Sequence, residues 1–268
     1  MALDTILMVG CGNMAGAMLQ GWLAGGLDAG RFTVADPAPR ELPQGVRKLD
    51  AIPADGEFDA ILLGVKPQLL GAVAPQVERL ARPGTVLVSI LAGVELAVLA
   101  DRFPRARALV RVMPNLSAAL GKSPMALAER GLDEAGRQAV LDWLAPLGTP
   151  EWIGEDEFDL VTALAGSGPA FVYRFIDALG AAAAGLGLPL DQAQRLALAT
   201  VDGAAALAAQ SPHDPAELAR RVASPGGTTQ AGLDALDEGD SLRTLLEKTL
   251  RAASDRSAEM AAEARREG

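Results

Sequence analysis

Two glycine-rich loops hold the residues whose types and spacing could do chemistry. VGCGNMA (9–15) places Gly10, Gly12 and Ala15 in a G-x-G-x-x-A pattern between an apolar run and a helical one. SPGGTT (224–229) brings two glycines and three hydroxyls to the start of another helical stretch, with no acid, base or thiol. Backbone N–H groups at the start of a helix bind anions. We therefore expect both loops to recognise anionic groups.

The small residues of the first loop match a dinucleotide-binding turn. Gly10 permits the tight turn, Gly12 lets the backbone approach a pyrophosphate, and Ala15 allows the helix to pack closely on the strand. The loop follows the first apolar run and opens a helix, which is the context that the pattern requires. The alternative is a turn with a purely structural role.

An acid in the second apolar run bears on the choice of dinucleotide. Asp36 lies about 20 residues beyond the loop, where a carboxylate accepts from a ribose 2′-hydroxyl and repels a 2′-phosphate. This position favours NADH, although Arg40 and the turn at 36–39 offer groups that could hold a phosphate. The alternative for Asp36 is a turn-initiating residue before Pro37.

Two further segments follow apolar runs and are expected at the same edge of a sheet. GVKPQ (64–68) ends the third run, and its proline predicts extended backbone at Lys66. SILAG (89–93) ends the next run, and its small residues leave room for a flat nicotinamide ring. In open parallel sheets, ligands bind outside the carboxyl ends of the strands. Lys66 is either a cofactor contact or a solvated side chain.

The first half of the chain alternates between short apolar runs and helical patterns, which predicts a parallel sheet covered on both faces. The predicted strands are 6–10, 32–36, 60–65, 85–90 and 108–113, with weaker signals at 125–128 and 150–153. The predicted helices are 14–24, 68–80, 96–103 and 133–147. Segment 37–52 is too short and proline-rich for a full crossover helix.

From about Glu155 onward the pattern is helical throughout. The predicted helices are 155–164, 169–186, 191–210, 215–222, 228–238 and 241–265. We therefore predict a dinucleotide-binding α/β domain at 1–153 and an all-helical domain at 154–268. The alanine-rich runs at 181–185 and 202–209 indicate close helix packing, either within one chain or between interlocking subunits.

Composition excludes several classes of function. The 268 residues carry a formal net charge of −10, which disfavours nucleic acid and anionic membranes as partners. Cys11 is the sole cysteine and His213 the sole histidine, so no internal disulfide can form, and mechanisms that need a His triad or a His-rich metal site are nearly excluded. With no leader and no long apolar run, we expect a cytoplasmic protein. The acids at 155–159 are interpreted as favourable to a helix start rather than as metal ligands.

Six motifs in order resemble the pyrroline-5-carboxylate reductase family. They are VGCGNMAGAM, GVKPQ, SILAGV, VRVMPN, ALAGSGPAF and ASPGGTTQAG, and the resemblance extends from residue 5 to about 260. It implies a Rossmann-like domain and a helical C-terminal domain that dimerises by interlocking helices. Dimers in the family often assemble further into rings of five, which makes a decamer. The implied reaction is hydride transfer from NADPH or NADH to the ring imine of 1-pyrroline-5-carboxylate, giving L-proline.

The resemblance assigns site residues by position. The dinucleotide would contact Val9, Gly10, Cys11, Gly12, Asn13, Met14, Asp36, Gly64, Val65, Lys66, Pro67, Ala92 and Gly93. The substrate would contact Ser224, Gly226, Gly227, Thr228 and Thr229, beside Gly168 of the GSGPA turn. From the residues themselves we expect Thr229 nearest the imine nitrogen, with Ser224 as a second catalytic hydroxyl, while the choice among Ser224, Thr228 and Thr229 stays open.

Three departures from the family pattern are present. Leu116 and Ser117 follow Asn115 where the family often has Thr-Pro. Asp36 stands near a position where many relatives carry Ser or Asn-Arg, and segment 37–52 is shorter than in relatives.

The side chains that the chain offers for acid–base chemistry suit the reduction of an imine. A cyclic imine is basic enough to be protonated before it is reduced, so no strong enzymic acid is required, whereas a ketone reductase needs a donor. Alternatives are a reductase of another small cyclic imine or a hydroxy acid, and a non-catalytic dinucleotide-binding homologue. The absence of lysine from 155–240 counts against a hydroxy-acid enzyme, and the intact loops count against a non-catalytic one.

Overall fold

The computed structural model describes residues 3–39 and 41–267. By compactness the chain divides into two units, the first running up to Ser167 and including the chain from Ala252 onward, and the second spanning Gly168–Arg251. The domain boundary that composition predicts, between residues 153 and 154, stays a prediction. The first compact unit extends beyond it because Phe158, Ala163 and Ala165 are buried in that unit.

The first unit contains an eight-stranded sheet with the order β3-β2-β1-β4-β5-β6-β7-β8. Its strands are β1 Ile6–Val9, β2 Phe32–Ala35, β3 Arg47–Leu49, β4 Ala60–Leu63, β5 Val86–Ser89, β6 Ala108–Met113, β7 Ser123–Arg130 and β8 Gly148–Trp152. The first six strands are parallel. The predicted Rossmann-like sheet is therefore present in this unit.

The expectation of a wholly parallel sheet is wrong at one pair. Strands β6 and β7 are antiparallel, with Met113 opposite Ala126, and β8 pairs parallel to β7. The link between β6 and β7 contains only a 3₁₀ turn at Leu116–Leu120, and antiparallel neighbours need no long crossover. Apolar composition does not distinguish the two directions.

The short strand β3 was not predicted. It spans three residues, Arg47–Leu49, which pair with β2 in parallel, and it lacks the buried apolar run of the central strands. Residues 37–39 and 41–46 contain no helix, so the abbreviated crossover that the prolines predict is confirmed for the described part of this segment.

Helices cover both faces of the sheet, and every residue of β1, β4 and β5 is therefore buried. The helices of this unit are α1 Asn13–Ala24, α2 Leu70–Leu80, α3 Leu96–Arg102, α4 Glu134–Leu144 and α5 Phe158–Val161. Helices α1 and α4 belong to one buried cluster, whereas α2, α3 and Phe158 belong to the other. The indole Nε1 of Trp22 donates to the Trp143 carbonyl oxygen at 2.8 Å, which ties α1 to α4.

The remaining helices are α6 Gly168–Gly185, α7 Leu190–Gln210, α8 Pro215–Val222, α9 Thr228–Asp237 and α10 Ser241–Glu267. Their bounds lie within two residues of the predicted ones. The segment predicted as a helix at 155–164 is helical but not of one type: it forms a 3₁₀ turn at Glu155–Glu157, then α5, then a π turn at Thr162–Gly166. No helix in the part of the chain that the structure describes is long and apolar enough to cross a membrane.

The second unit leaves much of its apolar surface uncovered. Helix α6 buries only Gly180, and α7 buries only Ala193 and Ala197. Large apolar side chains on these two helices are exposed, among them Val172, Phe175, Leu196, Leu198 and Leu207. So many exposed large apolar side chains on two helices are typical of a protein–protein contact.

We expect Gly21→Ala to lower the free energy of unfolding by about 1–3 kcal/mol, the usual cost of overpacking. A Cβ at Gly21 would lie 2.0 Å from the Ala118 carbonyl oxygen, and backbone at this depth has little room to move. Gly71→Ala is the matched control in helix α2, where a Cβ meets nothing within 4 Å. Urea unfolding of both variants checks this, and equal midpoints would contradict it.

Candidate functional site

The carboxyl edge of the sheet brings three predicted segments together. Strand β1 lies between β2 and β4, which is the topological switch point where open α/β sheets bind ligands. The loop at 10–12 follows β1, the segment 64–67 follows β4, and Ala92 and Gly93 follow β5. All three segments belong to the first unit.

Two glycines allow the loops after β1 and β4 to touch. Gly10 has φ of +84°, and a Cβ there would lie 2.8 Å from Cγ1 of Val65. A Cβ on Gly64 would lie 2.7 Å from the Gly10 carbonyl oxygen and 2.8 Å from Cβ of Ala15. Both positions therefore require glycine, and Ala15 is buried at the helix–strand contact as the fingerprint predicts.

The first loop divides into buried residues that shape it and residues that face outward. Val9, Gly10 and Cys11 are buried, and the Gly10 N–H donates to the Ala35 carbonyl oxygen at 2.9 Å. Asn13 is exposed, and Gly12 and Met14 are half-exposed. The N–H groups at a helix start have no intrahelical acceptor, so this second group offers donors to a ligand.

Glycine at the N-cap keeps those donors available. Helix α1 is preceded by Gly12, which is extended with no side chain, and a Cβ there would enter open space. In contrast, the Asp133 side chain caps α4 and the Asp214 side chain caps α8, each accepting a backbone N–H of its own helix. The open space and the uncapped donors fit a dinucleotide pyrophosphate.

The Asp36 carboxylate holds backbone at both oxygens. Its Oδ2 accepts from the Cys11 N–H at 2.7 Å, and its Oδ1 accepts from the Ala38 N–H at 2.9 Å. The turn predicted as the alternative reading is therefore present, and the same side chain also fixes the glycine loop. Asp36 is half-buried, and carboxylate oxygens accept more than one bond. Contact with a ribose stays a prediction, and Arg40 lies outside the described residues.

The segments after β4 and β5 border a cavity. Lys66 is exposed and extended, with φ of −68° and ψ of 143°, which confirms the effect expected from Pro67. Ala92 is exposed, and Gly93 has φ of +74°. Between the starts of α2 and α3 and the last turns of α10 lies a cavity of about 440 Å³, lined by residues that include Pro67, Ala92, Val94, Val98, Arg102 and Met260.

The SPGGTT loop lies in the second unit and has the same type of helix start. Gly226 has φ of +70°, and the Gly227 N–H donates to the Ser224 carbonyl oxygen at 2.9 Å. Gly227 is the extended N-cap of α9, and a Cβ there would lie 2.4 Å from Oγ of Ser224. Ser224, Thr228 and Thr229 are exposed. The positive φ explains glycine at position 226, and the lack of space for a Cβ explains glycine at position 227. The first N–H groups of α9 remain accessible.

Asn115 is a positioning residue that the sequence showed only as part of a motif. It is 4% exposed, its Nδ2 donates to the Ala165 carbonyl oxygen at 2.9 Å, and its backbone N–H donates to Oγ of Ser123 at 2.9 Å. Its Oδ1 accepts from the Ser117 N–H at 2.9 Å. Asn115 thereby holds the π turn that leads to Gly168. The signal from which the sequence could have predicted this role is an amide side chain near the end of an apolar strand.

Neither the lone histidine nor the lone tyrosine stands out as a catalytic group. His213 is half-buried in the turn before α8, where its backbone N–H donates to Oγ of Ser211 at 3.0 Å. Tyr173 is 69% exposed on α6. The resolved pKa changes belong to ion pairs: the pKa of Glu217, for example, is lowered by hydrogen bonds from Arg221 and Arg220.

Two family models match the chain. Residues 155–260 match a family described as pyrroline-5-carboxylate reductase dimerisation, and residues 5–93 match one described as NADP oxidoreductase, coenzyme F420-dependent. A curated pyrroline-5-carboxylate reductase of Pseudomonas aeruginosa is 35% identical, with 97% of this chain and 98% of that protein covered. One from Aquifex aeolicus is 40% identical, with 70% and 71% covered.

Solved structures agree with these matches. A pyrroline-5-carboxylate reductase from Coxiella burnetii has a TM-score of 0.87 at 28% identity, with 96% of this chain and 98% of that chain covered. A pyrroline carboxylate reductase from Plasmodium falciparum, determined with NADP bound, has a TM-score of 0.79 at 24% identity, with 97% and 99% covered. At that identity the second likeness shows the shared fold.

If Asp36 lies at the ribose as predicted, we expect Asp36→Ser to raise the affinity for NADPH relative to NADH, because it removes a negative charge that would repel a 2′-phosphate. The ratio of the two dissociation constants, measured by quenching of protein fluorescence, checks this. An unchanged ratio with both affinities lowered would show instead that Asp36 acts through its bond to the Cys11 N–H.

Proposed function

Because the chain belongs to the pyrroline-5-carboxylate reductase family, we propose how its residues divide the work of the family's reaction. The protein is an NAD(P)H-dependent oxidoreductase that reduces 1-pyrroline-5-carboxylate to L-proline, the last step of proline biosynthesis. The observation that carries the proposal is that helices α1 and α9 both begin at a glycine, so that no side chain caps their first N–H groups. The reductases of other substrates and the non-catalytic homologue are not favoured, since the curated relatives agree on one activity.

The first helix start holds the dinucleotide. The N–H groups of Gly12, Asn13 and Met14 bind the pyrophosphate, while the buried residues Val9, Gly10 and Cys11 shape the loop. The segment Gly64–Pro67 lines the path toward Ala92 and Gly93, which lie beside the nicotinamide ring. When bound, NAD(P)H supplies the hydride that reduces the imine carbon.

The second helix start holds the substrate. The N–H groups of Thr228 and Thr229 bind the substrate carboxylate, since the positive end of the α9 dipole stabilises a negative charge without a cationic side chain. Gly226 and Gly227 keep the backbone open to the ligand, and Gly168 borders the ring. Thr229 contacts the imine nitrogen, with Ser224 as the second hydroxyl at this site.

This arrangement needs no strong acid in the protein. The substrate imine takes its proton from water before reduction, so the enzyme's contribution is to orient the imine carbon toward the incoming hydride. Alignment of two bound reactants supplies a large part of the rate enhancement in such reactions. The lack of any acid, base or thiol in SPGGTT supports this division of labour.

The helical half makes the protein a homo-oligomer, as the dimerisation family match and the exposed apolar side chains of α6 and α7 support. We propose that the domain at 154–268 forms a dimer around these helices and that five dimers make a decamer. The net charge of −10 argues against nucleic acid as a further partner. A reaction that consumes a reduced dinucleotide and a biosynthetic intermediate fits a cytoplasmic location.

The reaction is tested by the loss of reduced-dinucleotide absorbance when pyrroline-5-carboxylate is added, with NADPH and NADH in parallel. Thr229→Ala is expected to lower kcat by about tenfold to a hundredfold, which is the effect of losing a hydrogen bond to a charged group worth about 1.5–3 kcal/mol. Its affinity for the dinucleotide should persist, because Thr229 lies outside the dinucleotide loops. Thr200→Ala is the control, since that hydroxyl only donates to the Leu196 carbonyl oxygen within α7. Unchanged turnover in Thr229→Ala would refute the assignment of this hydroxyl.

The oligomer is tested by charge placed on α7. Leu198→Glu is expected to shift the sedimenting species toward monomer, because a carboxylate is costly to bury in an apolar interface. Leu116→Glu is the matched control: Leu116 in the first unit is 58% exposed and Leu198 is 56% exposed. If both variants sediment as the unaltered protein does, α7 is not the interface.

A further inference from the structure

The loop that carries Ala92 and Gly93 has weak internal hydrogen bonds. The Val94 N–H donates to the Leu91 carbonyl oxygen at 3.4 Å, and the Leu91 N–H donates to Oγ of Ser89 at 3.3 Å. Both distances are long for such bonds, and Gly93 is in the left-handed region. The position of this loop therefore depends on the elements that hold its two flanks.

Glu155 holds the flank where α3 begins. The Leu96 N–H, at the start of α3, donates to Oε1 of Glu155 at 2.7 Å across 59 residues of sequence. The local N-cap, Glu95, makes no side-chain cap of its own, so this distant carboxylate serves as the cap. A carboxylate also favours the positive end of a helix.

The Glu155 carboxylate is itself held from the interior of the sheet. Nη1 of Arg111, on β6, donates to the same Oε1 at 2.7 Å, and the Arg111 side chain is only 6% exposed. The guanidinium lies over the ring of Phe158 at 4.0 Å. A buried cation holds its carboxylate partner firmly, since loss of the carboxylate would leave the buried Arg111 charge uncompensated.

Asp159 holds the other side of the loop. It lies one helical turn after Glu155, and its Oδ1 accepts from Oγ of Ser257 in α10 at 2.7 Å. One turn further along α10, Ala261 is buried, and a Cβ built on Gly93 would lie 3.4 Å from the Met260 carbonyl oxygen. The last turns of α10 thus lie against the loop.

We propose that Glu155 and Asp159 are positioning residues that set the Ala92–Gly93 loop for hydride transfer. The sequence interpretation, in which these acids serve their own helix start, describes Glu157, which accepts from the Gly154 N–H at 3.0 Å. Glu155 and Asp159 instead bind two other elements, one on each side of the loop. The inference rests on the proposed placement of Ala92 and Gly93 beside the nicotinamide.

Hydrogen exchange of the ligand-free protein and dinucleotide affinity test this together. Glu155→Gln keeps the size of the side chain and one acceptor but removes the charge. We expect amides 91–96 to exchange about tenfold faster, as loss of a charge-assisted bond implies. The dissociation constant for NADH should rise at least about fivefold, because small displacements of contacting groups weaken binding and alignment. Asp156→Asn is the matched control, with the same charge change at an exposed neighbour.

Ser257→Ala makes the same test from α10, since it breaks the Asp159 bond without altering the sheet. This variant decides the matter if Glu155→Gln does not fold. Faster exchange with weaker NADH binding in either variant supports the inference. Unchanged exchange, or faster exchange with unchanged affinity and kcat, overturns it. Ala92→Leu tests the underlying placement separately. If Ala92→Leu leaves affinity unaltered, the proposed ring site is wrong; if it alone weakens binding, only the positioning role is wrong.

Discussion

Uncapped N–H groups at two glycine-started helices are the feature on which the proposed site depends. Most helices gain stability when a Ser, Thr, Asn or Asp side chain bonds to their first N–H groups, and α4 and α8 do so through Asp133 and Asp214. Helices α1 and α9 begin at Gly12 and Gly227 instead. They give up that local stabilisation and keep donors for anionic groups. An acidic protein can in this way bind anions through its backbone.

The rest of the first unit keeps the α1 start in place. The touching loops at Gly10 and Gly64 leave no space for a side chain, and Asp36 bonds the glycine loop to the end of β2. The stacked rings of Trp22 and Trp143, 4.5 Å apart, anchor the other end of the arrangement. Tight contacts of this kind lower the freedom of the loop before a ligand arrives, which reduces the entropy lost on binding.

Much of the fold followed from local pattern. Buried strands such as β1 and β4 read as short apolar runs, and Pro215 stood at a helix start that the structure confirms. Strand β3 could not be predicted in this way, because its three residues at the sheet edge include two cations and bury little surface. The reversed direction of β7 also escaped prediction, since burial on both faces gives the same apolar run in either direction.

By itself the sequence determined the family, the class of cofactor and the positions of both glycine loops. It could do so because glycine and hydroxyl patterns encode backbone conformations that few other residues can adopt. Tertiary structure alone decided which loop residues are buried, that Asp36 bonds to the Cys11 N–H, and that Glu155 reaches Arg111 and the start of α3. The acids at 155–159 look alike in sequence. Their roles differ because contacts between residues far apart in the chain are set by the packing of helices on the sheet, which local composition does not encode.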